Sequence, residues 1–362
     1  MRPLTPAQLP PPSRLTRRFF RGTSPHLDDA RFAAKWATAF ESPLRFFRAF
    51  PAAYYRDLAA VPATHLASRS LVGFGDAHPE NFGFVVAGGR THFVFNDFDD
   101  SGFTDAGVDA LRWFTAHRLW TRRPRETDAL IARYVAVLRA PGRVPAVPKA
   151  LVPAPEKVLA KQAKKFIEGD RLVRSSKTKL SNSDRHERAV VTRGLTEHGS
   201  RVLDVAERER DHGGSGGLRR YWALVQGSDG ARDVLELKEL SEPATASGPG
   251  HQPLHDRLVE VREALWAGVP AEDHFLLRLF DAPFLARSRL RRANLDLDEL
   301  TPAQLERVLA AEVGLLARHH AEVYEKTEAA TVGRWLRAGS RLLAARWAEA
   351  YARLAPRAAV TS

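Results

Sequence analysis

Residues 73–84 read Gly73-Phe74-Gly75-Asp76-Ala77-His78-Pro79-Glu80-Asn81-Phe82-Gly83-Phe84, and past a short apolar stretch the chain continues Asn96-Asp97-Phe98-Asp99-Asp100. An aspartate precedes an asparagine within one loop, and an acidic cluster follows. That order suits phosphoryl transfer. One carboxylate accepts the proton of a substrate hydroxyl, while an asparagine and a further aspartate hold the magnesium that neutralises the phosphates. Either half alone says little, because Asp, Asn, Gly and Pro are ordinary loop residues. The signal is the pair in this order.

The segment between the halves explains their proximity. Phe82–Val86 and Thr91–Phe95 are β-rich runs joined by Ala87-Gly88-Gly89-Arg90, a hairpin signal. Ser70–Phe74 reads as a short buried strand leading into the loop. The hairpin then carries Asn81 at its start and Asp97 at its end. Oxygen ligands gathered there, Asn81, Asp97 and Asp99, suit Mg²⁺, which takes few carboxylates and keeps several waters. Asp76 is the candidate base. His78 is a candidate general acid, or a brace for its own loop.

A second constellation lies far downstream. Gly213-Gly214-Ser215-Gly216-Gly217 precedes a strand, Tyr221–Gln226, a turn at Gly227–Gly230, and a strand over Asp233–Leu240 that contains Lys238. Glu260 follows on a helix expected over about 254–266. A glycine loop presents backbone N–H groups to anionic oxygens without interference from Cβ. A strand lysine adds a point charge, and a helical glutamate fixes it. Glu239 and Glu263 compete as partners for Lys238. Lys238 also reads as an edge-strand charge that discourages aggregation, or as half of a surface pair worth under about 1 kcal/mol.

The 362 residues allow two or three domains. Hydrophobic residues at 44% and charged residues at 27% are ordinary for a soluble globular protein. The absence of cysteine excludes disulfides, thiolate metal sites and a Cys nucleophile, and agrees with the cytoplasm. The Pro-rich start reads as no secretory signal, and no apolar run reaches the roughly 18 residues of a membrane span. A net charge of +12 favours anionic partners. No aromatic-studded nucleic-acid motif accompanies it, so a nucleotide and a small-molecule acceptor are the expected partners rather than nucleic acid.

Along the chain, residues 1–26 read as an extended arm. Residues 27–140 carry a helical pattern broken at Ser42-Pro43, an aromatic core face (Phe46, Phe47, Phe50, Tyr54, Tyr55), the loop and hairpin, and two helices. The first of these helices opens near Asp109, a good capping residue. Residues 141–200 read as a basic linker or insert with one or two exposed helices, its lysines forming a solvated face or, alternatively, a phosphate-facing patch. Residues 201–285 form a small nucleotide-binding β unit. Residues 286–362 are helical from Thr301-Pro302 onward. In a protein kinase the glycine loop, lysine and glutamate come first. Here they follow the Asp…Asn…Asp pattern. The expectation is therefore an α+β, bilobal, protein-kinase-like fold that is circularly permuted. Its large helical lobe is built from both ends of the chain around a small antiparallel β lobe.

Gly75–Asn81 with Asn96–Asp100 resembles the Gly-Asp-x-His-x-x-Asn and Asp-Phe-Asp/Glu motifs of aminoglycoside phosphotransferases and choline kinases. The chain more closely resembles an uncharacterised bacterial family known as domain of unknown function 2252. The likeness runs through Glu41–Arg48, Tyr54–Leu58, Gly75–Gly83, Asn96–Asp100, Val108–Arg112, Leu235–Glu239, Arg257–Glu260 and Leu316–Ala321, over roughly residues 40–325. The resemblance implies Asp76 as catalytic base, Asn81 and Asp97 as metal ligands and Lys238 as a phosphate contact.

These readings converge on an ATP- (or other nucleoside triphosphate-) and Mg²⁺-dependent phosphotransferase acting on a small hydroxylated molecule. Gly213, Gly214, Ser215, Gly216, Lys238 and Glu260 would hold the nucleotide. The alternatives are a non-catalytic nucleotide-binding pseudokinase or sensor, a metal-dependent phosphoesterase, and transfer of AMP rather than phosphate on the same fold.

Overall fold

A computed structural model describes residues 4–67, 69–121, 123–208, 217–247, 258–266, 268–270 and 274–355. The fold is α+β with antiparallel sheets. Four strands surround the candidate loop: β1 (Ser70–Gly73), β2 (Phe82–Ala87), β3 (Arg90–Phe95) and β4 (Gly102–Asp105). β2 and β3 form the expected hairpin. Gly88 and Gly89 turn it at φ 53° and 70°, the positive pair that a two-residue turn matching strand twist demands. β1 pairs with β4, which brings Gly73 opposite Gly102 and closes the loop region against the acidic cluster.

Downstream, β5 (Ile167–Glu168) and β6 (Arg171–Leu172) make a small ribbon. A six-stranded sheet follows, built from β7 (Leu180–Asn182), β8 (Arg201–Arg208), β9 (Arg220–Gln226), β10 (Arg232–Glu239), β11 (His274–Leu279) and β12 (Ala282–Ser288), in the order β11-β12-β10-β9-β8-β7. One face of this sheet is apolar. Tyr221, Ala223, Leu235, Leu237 and Phe284 pack there with Val191 and Leu195 of the helix Arg185–Glu197. Because side chains alternate along a strand, Lys238 and Glu236 project from the other face, opposite Arg220, Trp222 and Arg287 on neighbouring strands.

β13 (Arg292–Asn294) then returns to pair with β2. Beyond it, helices Pro302–His320 and Ala329–Leu354 pack with Ala106–Thr121 and Pro124–Arg139 around one core. Thr301 starts the first of these with a capping box closed by Gln304. The helical part is thus assembled from both ends of the chain, with the six-stranded sheet inserted between them.

Three expectations change. Residues 4–26 are not an extended arm: they contain the helix Arg17–Gly22, and Leu4, Leu9, Leu15 and Phe20 are buried in the main core. Arg346 secures the segment, donating to the Pro10 carbonyl at 2.6 Å while it pairs with buried Asp57 at 2.7 Å. The basic 141–200 segment is more than a linker, since it supplies β7 as the edge of the large sheet and the helix Pro155–Phe166. The helical stretch after Leu27 breaks a second time, before Pro51, because the ring removes the N–H that would continue the helix Pro43–Ala49. Among the described residues no helix is long and apolar enough to cross a membrane.

Candidate active site

The loop after β1 is shaped by a glycine and a buried carboxylate. Gly75 has φ +74°, and a Cβ there would lie 1.9 Å from the Asp100 carbonyl oxygen. Only glycine lets the loop approach the acidic cluster so closely. Asp109, expected as a helix cap, does something else. It is fully buried and accepts the backbone N–H groups of Phe74 at 2.8 Å and Gly75 at 3.0 Å, with Tyr55 Oη at 3.3 Å and His320 Nε2 at 3.2 Å. His319 approaches the Val72 carbonyl in β1. The histidine pair thus braces the loop from beneath.

Asp76 leaves this braced loop and faces a cleft of about 630 Å³. Its Oδ1 accepts from Arg112 through Nε at 3.1 Å and through Nη2. Arg112 is wholly buried on the helix Ala106–Thr121, with Phe47 and Tyr54 rings 4.5 and 5.2 Å from its guanidinium carbon. Burial alone would raise the Asp76 carboxyl. The Arg112 charge and His78 outweigh it and hold Asp76 below the usual carboxylate range. His78 is itself buried and accepts from Arg48 Nε at 3.1 Å, and burial, then Arg48, lower its pKa while Asp76 raises it. Its Nε2 lies 3.6 Å from Asp76 Oδ2. That geometry makes His78 a spacer between Arg48, which also pairs with Glu80, and the Asp76 carboxylate.

Across the loop, Asn81 donates to the carbonyls of Asp76 at 3.1 Å and Asp97 at 3.3 Å, tying the two halves of the sequence signature together. Lys238 reaches into the same cleft from β10. It bonds both Asp97 carboxylate oxygens, at 3.1 and 3.2 Å, and pairs with Asp99. Arg287 adds a contact to Asp97 at 3.2 Å. Burial would lift Asp97, but Lys238 and Arg287 pull it well below the normal range. Asp99 is pushed up to about 6 by burial and Asp97, against Lys238. Asp100, which accepts from Ala244 N at 2.9 Å, is pushed up to about 7 by burial, Asp99 and Asp76. Lys35, fully buried on the helix Asp29–Thr38, is pushed down to about 8 by burial although Asp100 and Asp76 draw it upward.

Asp76, His78, Asn81, Asp97, Asp99 and Lys238 therefore line one cleft, although Lys238 is 141 positions from its partner Asp97. The loop residues Gly213, Gly214, Ser215 and Gly216 lie outside the described residues, as does the side chain of Glu260. Of the competitors for Lys238, Glu239 is engaged by Arg219 at 2.9 Å. The alternate strand position Glu236 is fixed by Arg220 at 3.0 Å and Arg287 at 2.7 Å.

For a hard cation the donor chemistry fits. Asp97, Asp99 and Asn81 offer oxygens, and Asp99 Oδ1 is buried without a hydrogen-bond partner. Among the described residues no three His, Cys, Asp or Glu side chains form a metal cage by themselves. Besides the pair under the loop, His92 contacts the Ala87 carbonyl at 3.2 Å.

Sequence reading missed Arg112 and Asp109 as parts of the site, and it gave no separate role to Arg48 or to Asp100 within the acidic cluster. A signal was present for two of them. Asp109 and Arg112 are three apart, hence on one helical face, and are the two charged residues in the otherwise apolar stretch Ala106–Phe114 of that helix. Charged groups in a helix buried on every side need partners.

No curated protein and no solved structure matches the chain. Residues 27–138, which carry the loop, the hairpin, the acidic cluster and Arg112, match the model of a family described as an uncharacterized protein conserved in bacteria (DUF2252).

Proposed function

We propose that the protein is a kinase-like phosphotransferase that moves the terminal phosphoryl group of a nucleoside triphosphate, with Mg²⁺, onto the hydroxyl of a small molecule. One observation carries the reading: Asp76, fixed by Arg112, shares a cleft with the Asp97–Asp99 pair and with Lys238, which the six-stranded sheet contributes from the opposite side. In the transfer, the acceptor oxygen bonds to the terminal phosphorus and the bond from that phosphorus to the bridging oxygen breaks. The hydroxyl proton passes to Asp76, and the nucleoside diphosphate leaves. A carboxylate held at low pKa is a weak base, so the main work of Asp76 is orientation of the hydroxyl, which matches a loose transition state with little need for early proton removal. Lys238 supplies positive charge for the phosphates. Asn81, Asp97 and Asp99 would hold the magnesium, whose contribution when bound is neutralisation of phosphate charge.

Calorimetric titration with Mg²⁺ and a non-hydrolysable ATP analogue, alongside transfer from labelled ATP to a set of hydroxylated metabolites, tests this. Asp97→Ala loses nucleotide binding. Asp76→Asn keeps it and loses transfer by about 10²–10⁴-fold. Full activity in both variants rules the reading out. A second reading, nucleotide binding without catalysis, is favoured by the closure of Asp97 between Lys238 and Arg287. It predicts thermal stabilisation by nucleotide with no transfer to any acceptor.

A further inference from the structure

The face of the six-stranded sheet that roofs the cleft carries further basic side chains beyond the Lys238 cluster. Moving away from Lys238, the roof continues through Trp222 to Arg208 and Arg289, whose guanidinium carbons lie 5.9 and 5.3 Å from the Trp222 ring centre. Arg289 stands opposite Val234, whose carbonyl accepts its N–H at 2.7 Å. That is four strand positions from Lys238, or about 13 Å along β10. The Glu236 carboxylate is taken up by Arg220 and Arg287 and lies 3.8 Å from Arg289, beyond hydrogen-bond reach. Arg289 Nε and the indole N–H of Trp222 are both buried with no hydrogen-bond partner.

Two lysines extend this pole. Lys179, at the start of β7, lines the cleft with its exposed side chain, and its carbonyl accepts from Arg208 at 3.4 Å. Lys165, on the helix Pro155–Phe166, adjoins Phe166, whose ring meets Trp222 edge-on at 4.9 Å. Burial, and then the charges of Arg289, Lys161, Arg208 and Lys177, draw the Lys165 amine below its ordinary pKa. Like charges gathered at the end of a polar cleft cost free energy that an anion recovers, and arginines beside an aromatic ring are suited to phosphate. A nucleobase pocket would instead need apolar walls with a few placed polar groups.

We propose that Arg208 and Arg289, flanking Trp222, together with Lys165 and Lys179, form a second phosphate subsite of this cleft, so that the ligand turned over there carries phosphate groups beyond those held at Lys238. The proposal rests on the phosphotransferase reading for what Lys238 holds, but the subsite itself is testable without nucleotide. Its phosphate comes either from a phosphorylated acceptor or from a donor whose phosphate chain runs the length of the cleft.

Inorganic pyrophosphate, titrated calorimetrically into the magnesium-free full-length protein, is the probe. The wild type binds it, and Arg208→Gln/Arg289→Gln weakens binding at least tenfold. Arg289→Lys, which keeps the charge, recovers most of the loss. Should the double variant fold poorly, Lys165→Gln/Lys179→Gln changes only exposed side chains and weakens binding several-fold. Pyrophosphate binding within twofold of wild type in both double variants, or none in the wild type, overturns the proposal whether or not nucleotide binds. Conversely, nucleotide binding that fails while pyrophosphate binding depends on Arg208 and Arg289 sinks the phosphotransferase reading and leaves the subsite standing. Joint binding of pyrophosphate with the Mg²⁺-bound ATP analogue assigns the phosphate to the acceptor. Displacement of that analogue by long-chain inorganic polyphosphate assigns it to the donor.

Discussion

Asp76 owes its charge state to Arg112, 36 positions away on a buried helix. The sign of the effect follows from the competing causes. Burial raises the carboxyl and the guanidinium lowers it, with the guanidinium and His78 prevailing. Asp76 therefore stays ionised through the neutral range, and the proposed transfer should not slow on mild acidification on its account. Arg112→Met removes the dominant favourable charge and leaves burial unopposed except by His78. The Asp76 pKa then rises, and the acid limb of a pH–rate profile, which Asp99 sets in the wild type, moves to higher pH. The same variant leaves a buried carboxylate without its partner, which costs about 3–5 kcal/mol of stability. The profile of the surviving folded protein, normalised to its folded fraction, separates the two effects. An unshifted profile shows that Arg112 does not set the ionisation of Asp76.

At the scale of the element, the loop between β1 and β2 is closely held. Its backbone N–H groups at Phe74 and Gly75 are satisfied by Asp109, and Ser101 Oγ donates to the Phe74 carbonyl at 2.8 Å. These bonds hold the loop against residues 100 and 101, where Gly75 leaves no room for a side chain. Gly75→Ala combines a positive φ with a clash against backbone that cannot give way. It should cost about 3 kcal/mol or more, with a clear fall in melting temperature and loss of ligand binding. Gly89→Ala tests the alternative explanation. Its φ is also positive at 70°, but nothing lies within 4 Å of a Cβ there, so it should cost only the backbone strain. Equal effects in the two variants would show that the close approach to Asp100 is unimportant.

Over the whole molecule, the two parts meet through short polar ties at the cleft and through an apolar seam beside it, where Leu240, Leu285 and Trp266 join the main core. Lys238 joins Asp97, Arg287 and Arg292 donate to the Asn96 carbonyl at 3.3 and 3.0 Å, and Trp266 Nε1 donates to the Phe95 carbonyl at 2.9 Å. The N-terminal segment, by contrast, is built into the helical core. Deleting residues 1–16 removes the buried Leu4, Leu9 and Leu15 and the carbonyls that Arg346 and Arg353 use. The expected loss is on the order of 5 kcal/mol as an upper estimate, read as a lower denaturation midpoint. An unchanged midpoint would show that the segment is not docked.

Local chemistry sufficed for much of this architecture. The Gly88-Gly89 turn, the β2–β3 hairpin, the Ser42 and Thr301 helix starts and the gathering of Asn81 with Asp97 are consequences of short-range conformational preference, so they could be read from neighbouring residues. The large sheet's outer strands were harder. β7 lies in a segment that reads as a charged linker, and it becomes a strand because the exposed edge of β8 accepts it. Over long separations, convergence of Lys238 with Asp76, Asn81 and Asp97 on one cleft was legible, but which side chains pair there was not. Nothing near Lys238 in the chain points to Asp97 and Asp99 rather than Glu260, and nothing near Asp76 points to Arg112. A charge buried in a low-dielectric interior takes whichever opposite charge packing brings within reach. The sequence by itself determined which groups can do chemistry and how each small element turns. The tertiary structure alone decided which of those groups face one another, because that choice is made by packing helices drawn from both ends of the chain against a sheet from its middle.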